Sequence, residues 1–411
     1  MKQCRGCKRT RLYLFLPLGD HPPANGFLPP ERLAEPEARF PLDAHVCLDC
    51  GLIQVADHVP PGFFRHYVYL PSASPQLQHH FRGLALDVNQ RFGDARGLVV
   101  DVGCNDGLFL RAMRDLGWPT LGIDPATNIV EAVRRDGIDV VNEYFTIDVA
   151  EAIRRERGPA SVIVTTNTFH HIDDLDEFTA GVRRLLADDG VFIVEVPHAK
   201  PIVAENQFDG IYHEHLSQFS IRAFVDLFAR FDMRVVEVQP LPVHGGSVRV
   251  FARRGAAPEL RSAAAPWVEA EAESGLFEEA TYTRFRERVQ RLRDELMRLL
   301  RELKREGVRL AGYGASARGN TVLNYYGIGP DLLEYIVDRN PLKHGLYSPG
   351  MHLPVRPVEV LLEDRPDYVL LLAWNFADEV LDQQRAYLDG GGRFILPIPE
   401  VAVVDGGGVR A

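Results

Sequence analysis

The spacing of apolar residues changes several times along the chain, and the changes mark out its elements. Leu98 to Val102 is an unbroken, mostly β-branched run of strand length, the pattern of a strand buried on both faces. A glycine turn follows, Gly103-Cys104-Asn105-Asp106-Gly107, and then Leu108, Phe109 and Met113 recur at helical spacing. Thr120 to Ile123 is a second short strand, ending in Asp124. The same grammar continues with a helix over 129–135, a strand and loop over 140–145, a strand over 161–165, a helix over 175–186 and a strand over 191–196. A helix over 74–92 leads in, and two strands at 234–238 and 247–252 pair through Pro-Val-His-Gly-Gly. Strands alternating with helices at this pitch predict a parallel, doubly wound sheet. Ligands in such sheets sit at the carboxyl ends of the strands, so Asn105, Asp124, Asn142, Asn167, His170 and His171 are expected along one rim.

Outside this region the pattern differs. Over 256–306, Phe285, Val289, Leu292, Leu296, Leu299 and Leu303 form one apolar stripe between Arg and Glu, which predicts a helical connector packed on its neighbours; a dimer helix is the alternative. From Val308 the α/β grammar returns. Arg309 to Gly319 reads as a strand and glycine loop, with a helix through Leu323, a strand over 335–337 ending in Asp338, a strand over 369–373, a helix over 376–388 and a last strand over 394–397. The insert between Cys7 and Cys47, with Pro-Pro-Ala-Asn-Gly-Phe-Leu-Pro-Pro and later Pro36 and Pro41, reads as loops and short strands. The expected division is 1–72, 73–255, 256–306 and 307–411.

Composition narrows the class. The 411 residues suffice for two or three domains, and 46% hydrophobic with 25% charged residues is ordinary for a globular protein. A formal net charge of −11 argues against a general polyanion binder. No apolar run approaches the roughly 20 residues of a membrane helix, and Met-Lys-Gln-Cys-Arg-Gly-Cys has no apolar signal core. Five cysteines are too few for a disulfide scaffold, so a reducing cytoplasm is expected. Four of them form two C-x-x-C pairs, Cys4/Cys7 and Cys47/Cys50. Each pair reaches two corners of a tetrahedron, and four thiolates make a closed structural zinc site with no open position; a redox pair or unliganded thiols are the alternatives. His45 and His58 are expected at the surface.

The glycine loop carries the chemistry. Asp-x-Gly-Cys-Asn-Asp-Gly has no G-x-G-x-x-G triplet. It resembles the first motif of class I S-adenosylmethionine-dependent methyltransferases. On that resemblance Asp101, Gly103, Asn105 and Gly107 line the methionine part of the cofactor and Asp124 holds its ribose. Cys104, Pro125, Asn142, Thr166 and His170 complete the pocket. The loop after the last parallel strand carries Tyr212-His213-Glu214-His215. This is not H-E-x-x-H, so the two imidazoles do not share a helix face, and no other cluster completes a metal site there. A base and its orienter is the better reading, because an imidazole accepts a proton at neutral pH, with Glu214 fixing its tautomer or binding substrate hydroxyls. Gly312-x-Gly314 with Asp338 is a weak dinucleotide fingerprint, its third glycine displaced to Gly319.

Taken together, the chain resembles the sugar C-methyltransferases of deoxysugar biosynthesis, which methylate carbon 3 of a nucleotide-linked 4-keto-deoxyhexose. The resemblance covers essentially all 411 residues. It rests on the two C-x-x-C pairs and on Y-V-Y-L-P-S-A-S at 67–74, D-V-G-C-N-D-G at 101–107 and N-T-F-H-H-I at 167–172. It rests also on Y-H-E-H-L-S-Q-F-S at 212–220, H-G-G-S-V-R at 244–249, G-Y-G-A-S-A-R-G-N at 312–320 and V-D-R-N-P-L-K-H-G-L-Y-S-P-G at 337–350. It implies an α/β fold: a class I methyltransferase sheet, a C-terminal Rossmann-like domain that helps hold the nucleotide sugar, and a small N-terminal zinc-binding domain. By position His215 is the base, with Tyr212 and Glu214 beside it. Asn167 and His171 face the substrate, and Tyr67, or failing it Tyr69, reaches in. Tyr313, Ser316, Arg318 and Asp338 fall to the nucleotide sugar. Pro71-Ser72 stands where the family usually has Ser-Ser, and Arg318 where a lysine is often seen. The competing readings are an O- or N-methyltransferase, a nicotinamide oxidoreductase built on Gly312 to Asp338, and a non-enzymatic zinc-ribbon binding protein. No nucleic acid or membrane partner is expected.

Overall fold

The computed structural model describes residues 2–57, 59–67, 69–255 and 263–410. The expectation for His58 and the first residues of the expected connector, 256–262, lie outside the described residues. The described residues form three sheets. The first starts from β1 (Leu12–His21), β2 (Phe40–Cys47) and β3 (Ile53–Val55), paired antiparallel in chain order. The second contains β4 (Leu98–Val102), β5 (Thr120–Ile123), β6 (Val140–Val141), β7 (Ala160–Thr166) and β8 (Leu186–Pro197). Every residue of β4 is buried, which is why its apolar run is unbroken rather than alternating.

The next strand, β9 (Ser217–Gln218), leaves the second sheet and joins the first, with Gln218 opposite Ile53. A bridge between His198 and Phe219 ties the two ends of the intervening loop together. β10 (Met233–Leu241) and β11 (Ser247–Arg254) then close the second sheet antiparallel, in the order β10-β11-β8-β7-β4-β5-β6. Strand order reverses between β4 and β7, so the crevice for a ligand opens there.

The third sheet is β12 (Leu310–Tyr313), β13 (Ile336–Asp338), β14 (Val355–Pro357), β15 (Tyr368–Leu371), β16 (Arg393–Leu396), β17 (Ala402–Asp405) and β18 (Gly408–Arg410), ordered β14-β13-β12-β15-β16-β17-β18. The strand over 394–397 is therefore not the last. Ala402 to Asp405 pairs antiparallel with β16, and a glycine turn folds Gly408–Arg410 back on it. The two strands are short and flank a run of glycines, so the sequence pattern does not mark them. The expected helix over 376–388 is two short ones, Ala377–Gln383 and Arg385–Asp389.

The long helix Glu279–Arg305 buries Phe285, Val289, Leu292, Leu296 and Leu300. Its apolar stripe shares one core with Phe15 and Leu16 of β1 and with Leu323 and Tyr326 of the helix Ala317–Tyr326. Phe15 lies 4.9 Å from Tyr282 and 5.8 Å from Phe285, ring to ring. The stripe is thus used inside the chain.

A charged junction fixes the second and third sheets together. Asp209 is fully buried. It accepts from Arg318 Nε and Nη2, both at 3.0 Å, and from Trp374 Nε1 at 2.7 Å. Arg318 also donates to His244 O at 2.9 Å and Gln207 Oε1 at 3.2 Å, and stacks 4.8 Å over the Trp374 ring. Breaking one side of a buried pair leaves the other charge uncompensated. Asp209→Asn is expected to cost about 3 kcal/mol of unfolding free energy, measured by urea denaturation; a loss well under about 1 kcal/mol would show that the junction carries little.

Candidate active site

The donor loop is shaped by contacts that only small or αL-tolerant residues permit. Gly103 has φ +81°, and a Cβ there would lie 2.1 Å from Thr168 Oγ1. Asn105 also has positive φ, and Gly107 begins the helix Leu108–Asp115 from the left-handed region. Asp124, at the end of β5, accepts from Asn105 N and Ala126 N, each at 2.8 Å. Burial nonetheless raises its pKa. Asp101 is 2% exposed, with one carboxylate oxygen unpartnered among the described residues. Burial, and then the charges of Asp124 and Glu195, push its pKa up to about 8.

A cavity of about 640 Å³ opens on this loop. Asp101, Gly103, Cys104, Asn105, Asp124, Pro125, Thr166, Asn167, His170 and His171 all reach its wall. Two residues expected in the cofactor pocket, Gly107 and Asn142, do not. Gly107 turns the chain into its helix, facing Val133 and Ile138. Asn142 sits behind Asp124, donating to its carbonyl at 2.9 Å and accepting from the Thr127 hydroxyl at 2.9 Å. Its strand is only two residues long, so the side chain props the acid instead of facing the cavity.

The loop between β8 and β9 brings the Tyr212–His215 stretch over this cavity. His215 Nδ1 lies 3.0 Å from Gly210 O. A carbonyl only accepts, so the ring proton is on Nδ1. Nε2 then offers its lone pair to the Tyr212 hydroxyl, which donates to it. The His170 and His171 rings stand 4.1 and 5.0 Å from His215. Burial, and then His171, hold the His215 pKa well below the imidazole range, so the ring is neutral at physiological pH. The loop spacing argued against a histidine cluster here, yet the fold brings the nitrogens of all three rings within 4.8 Å of one another. Residues 170 and 171 follow β7 and residue 215 precedes β9, so local spacing carried no sign of this. Both His215 nitrogens are occupied within the protein, whereas neither nitrogen of buried His170 has a partner among the described residues.

Glu214 does not orient the imidazole; Gly210 O does. Glu214 is fully buried behind the cavity wall. It accepts from Tyr67 Oη at 3.0 Å, Asn25 Nδ2 at 2.7 Å and Asn25 N at 3.1 Å. Burial raises its pKa against these bonds. Both tyrosines of Tyr-Val-Tyr reach the cavity, but only Tyr67 meets Glu214. Asn25 was missed in the sequence. It lies in the Pro-Pro-Ala-Asn-Gly turn, where an asparagine before glycine is common. His244 was missed too; it lines the cavity, and burial followed by Arg318 lowers its pKa to about 4.

The far wall comes from the third sheet: Tyr313, Ser316, Arg318 and Asp338 line the same cavity. Ser316 caps its helix by accepting from Gly319 N at 2.9 Å, and Asp338 accepts from Asn340 N at 2.7 Å. The Arg318 guanidinium is already engaged by Asp209, which takes it out of reach as a free cation.

The four paired cysteines converge at one end of the first sheet. Sγ atoms lie 3.6 Å apart in Cys4–Cys50 and in Cys7–Cys47, and all four fall within 4.8 Å. A tetrahedron of zinc–sulfur bonds of about 2.3 Å sets its corners about 3.8 Å apart, so the set fits zinc.

Comparison with known proteins agrees with this geometry. Residues 77–238 match the model "Methyltransferase domain", residues 242–399 the model "C-methyltransferase C-terminal domain", and residues 4–64 the model "Putative zinc binding domain". The fold and donor pocket define an S-adenosylmethionine-dependent methyltransferase with a zinc-binding N-terminal region. C-methyltransferase NovU of Streptomyces niveus is 38% identical over 405 residues, covering 98% of this chain and 96% of that one. The chain therefore belongs to the S-adenosylmethionine-dependent C-methyltransferases. A ubiquinone biosynthesis O-methyltransferase of Bartonella quintana is 28% identical over 98 residues, 23% of this chain and 39% of its own length. A crystal structure of the glycopeptide N-methyltransferase MtfA with bound S-adenosylmethionine overlaps at TM-score 0.34 and 15% identity, over 42% of this chain and 93% of that one. Among the described residues no helix is long and apolar enough to cross a membrane.

The raised Asp101 pKa has a measurable consequence. The unfolded carboxyl titrates near about 4 and the folded one near about 8. Between these values the folded, cofactor-free protein holds a proton that the unfolded chain has lost, so stability falls as pH rises through the window. Asp101→Asn lacks this term. Its stability relative to wild type should climb by roughly 1 kcal/mol per pH unit between about pH 4 and about pH 8, read by denaturation of the cofactor-free protein; a flat difference would show that Asp101 is ionised throughout.

Proposed function

We propose that the enzyme methylates carbon 3 of a nucleotide-linked 4-keto-deoxyhexose through an enolate. The observation that carries this reading is the single cavity running from Asp101 and Asp124, past His215, to Ser316 and Asp338. Such a cavity suits a substrate with a reactive sugar at one end and a nucleotide at the other. In the division of labour we propose, residues 73–255 hold the donor and 307–411 the nucleotide. Residues 256–306 connect the two, and residues 1–72 brace the catalytic loop through zinc and Asn25.

Carbon is a poor nucleophile until a proton beside a carbonyl is removed. His215 takes that proton at Nε2 when the substrate displaces the Tyr212 hydroxyl from it, and Nδ1–H on Gly210 O keeps the lone pair aimed. Asn167 and His171 offer donors for the enolate oxygen, and the Tyr212 hydroxyl does so once it has turned away from Nε2; Tyr67, whose one proton goes to Glu214, lines the site beside them. Glu214 acts through Tyr67, fixing its hydroxyl. Asp101 and Asp124 hold the amine and ribose ends of the donor, and Asn105, Thr166 and His170 pack around it. S-adenosylmethionine supplies a methyl on a sulfonium, to which the carbon is held in line.

With a 4-keto-deoxy nucleotide sugar, His215→Asn should lose exchange of the carbon-3 hydrogen with solvent by about 10²-fold or more, while still binding S-adenosylhomocysteine. Tyr212→Phe frees Nε2 and should retain exchange. Loss of exchange in Tyr212→Phe alone would move the base to the phenol. Carbon NMR of the product separates C-methylation from the O- and N-methyl alternatives.

A further inference from the structure

Three imidazoles stand together on the cavity wall. His170 and His171 belong to the tight turn Phe169–His171 that follows β7, and His215 comes from the loop that ends at β9. The ring centres lie 4.4 Å apart for His170 and His171, 4.1 Å for His170 and His215, and 5.0 Å for His171 and His215. One nitrogen from each ring falls within 4.8 Å of the other two. Zinc binds imidazole nitrogen at about 2.0–2.1 Å in a tetrahedral site, which sets ligand nitrogens about 3.3 Å and ring centres about 5 Å apart. Small side-chain rotations therefore close the three rings on one ion.

The hydrogen bonding of the cluster fits ligation. His170 is 1% exposed, and neither of its nitrogens has a partner among the described residues; nor has Nδ1 of His171. A buried imidazole without a partner costs free energy, and a metal ion takes a lone pair from each ring at once. A ligating histidine gives the proton of its second nitrogen to a carbonyl or carboxylate, which fixes the ring. His215 is arranged in this way: Nδ1 donates to Gly210 O at 3.0 Å and leaves the lone pair on Nε2. The Tyr212 hydroxyl that donates to Nε2 would have to turn away. A carbonyl, that of Asn167, also acts on the His171 ring. Among the described residues no carboxylate or thiol belongs to the cluster. Three neutral nitrogens suit a borderline ion such as zinc or cobalt, and not magnesium or calcium, which take oxygen.

We propose that His170, His171 and His215 form a second metal site, separate from the four cysteines, and that zinc held there silences the enzyme by taking the Nε2 lone pair. A nitrogen bound to an ion cannot also accept a proton, so the two uses of His215 exclude each other. The binding stands on the cluster alone; the silencing rests on the reading of His215 as the base.

The test uses the full chain with zinc in its cysteine site. Cobalt(II) chloride is the probe, because cobalt on imidazole shows visible ligand-field bands, whereas cobalt on thiolate adds a near-ultraviolet charge-transfer band. Wild type should take up one cobalt per chain beside its zinc, with the visible bands and without the charge-transfer band. His170→Gln and His171→Gln should each weaken this cobalt by about tenfold or more, while keeping their zinc. With the 4-keto-deoxy nucleotide sugar present, exchange of the carbon-3 hydrogen should disappear as the bands grow. A chelator too weak to strip the cysteine site should restore it. No cobalt beside the zinc, or bands unchanged in both variants, overturns the site. Full bands with undiminished exchange overturn the silencing. Wild type that binds cobalt but shows no exchange before cobalt is added counts against the base reading, takes the silencing with it, and leaves the site standing. Should neither variant fold, X-ray absorption on the wild-type complex decides: several imidazoles around the cobalt support the site, and one or none overturns it.

Discussion

A carboxylate with no exposure must be met by donors, and at Asp209 every donor comes from another part of the chain. Arg318 and Trp374 belong to the third sheet and its helices, while Asp209 sits on the loop that leaves the second. That loop carries the rest of the site. One residue past Asp209, Gly210 O receives the His215 ring and the Gln218 amide, at 3.0 and 2.8 Å. The position of the imidazole is therefore set by a charge pair made between two halves of the molecule. A site assembled this way exists only when all the parts are docked.

Burial also sets the chemistry. His170, His171, His215 and His244 are all held below the ordinary imidazole value, chiefly by desolvation. Asp101, Asp124 and Glu214 are pushed upward by the same cause. Burial thus works against the charged form of each of these groups. A positively charged guest beside the carboxyls would offset the cost that burial places on their charged form. In the mechanism proposed above, one enclosure holds a cationic donor and the proton abstraction, without any group being unusually basic in isolation.

Much of this was legible in the chain. The apolar run of β4 and the recurrence of Phe109 and Met113 announced the strand–loop–helix unit, because a strand buried on both faces has no polar alternation to blur it. The zinc cluster was legible because thiolate spacing is local. What local spacing hid was long-range. Asn25 and Glu214 are 189 residues apart, and an asparagine in a proline-glycine turn has an ordinary reason to be there. The convergence of His170, His171 and His215 depends on the strand order β8-β7, which sets the two loops side by side. The family resemblance assigns Arg318 to the nucleotide sugar, and only the fold reveals the buried acid opposite it. Asn142 misled because a two-residue strand fixes which way a side chain points only weakly.

The two-residue strand β9 has a consequence for how such a chain can be recombined. It places the segment just after His215 in the hydrogen-bond ladder of the zinc-bearing sheet, opposite Ile53 and Gln54. A crossover near residue 72 would look harmless on a linear map, since it falls between two blocks. It would in fact cut through a shared seam, giving the histidine loop a foreign strand edge to lie against. Descent and engineering alike must treat the metal-bearing sheet and this loop as one heritable piece, however far apart they stand in the sequence.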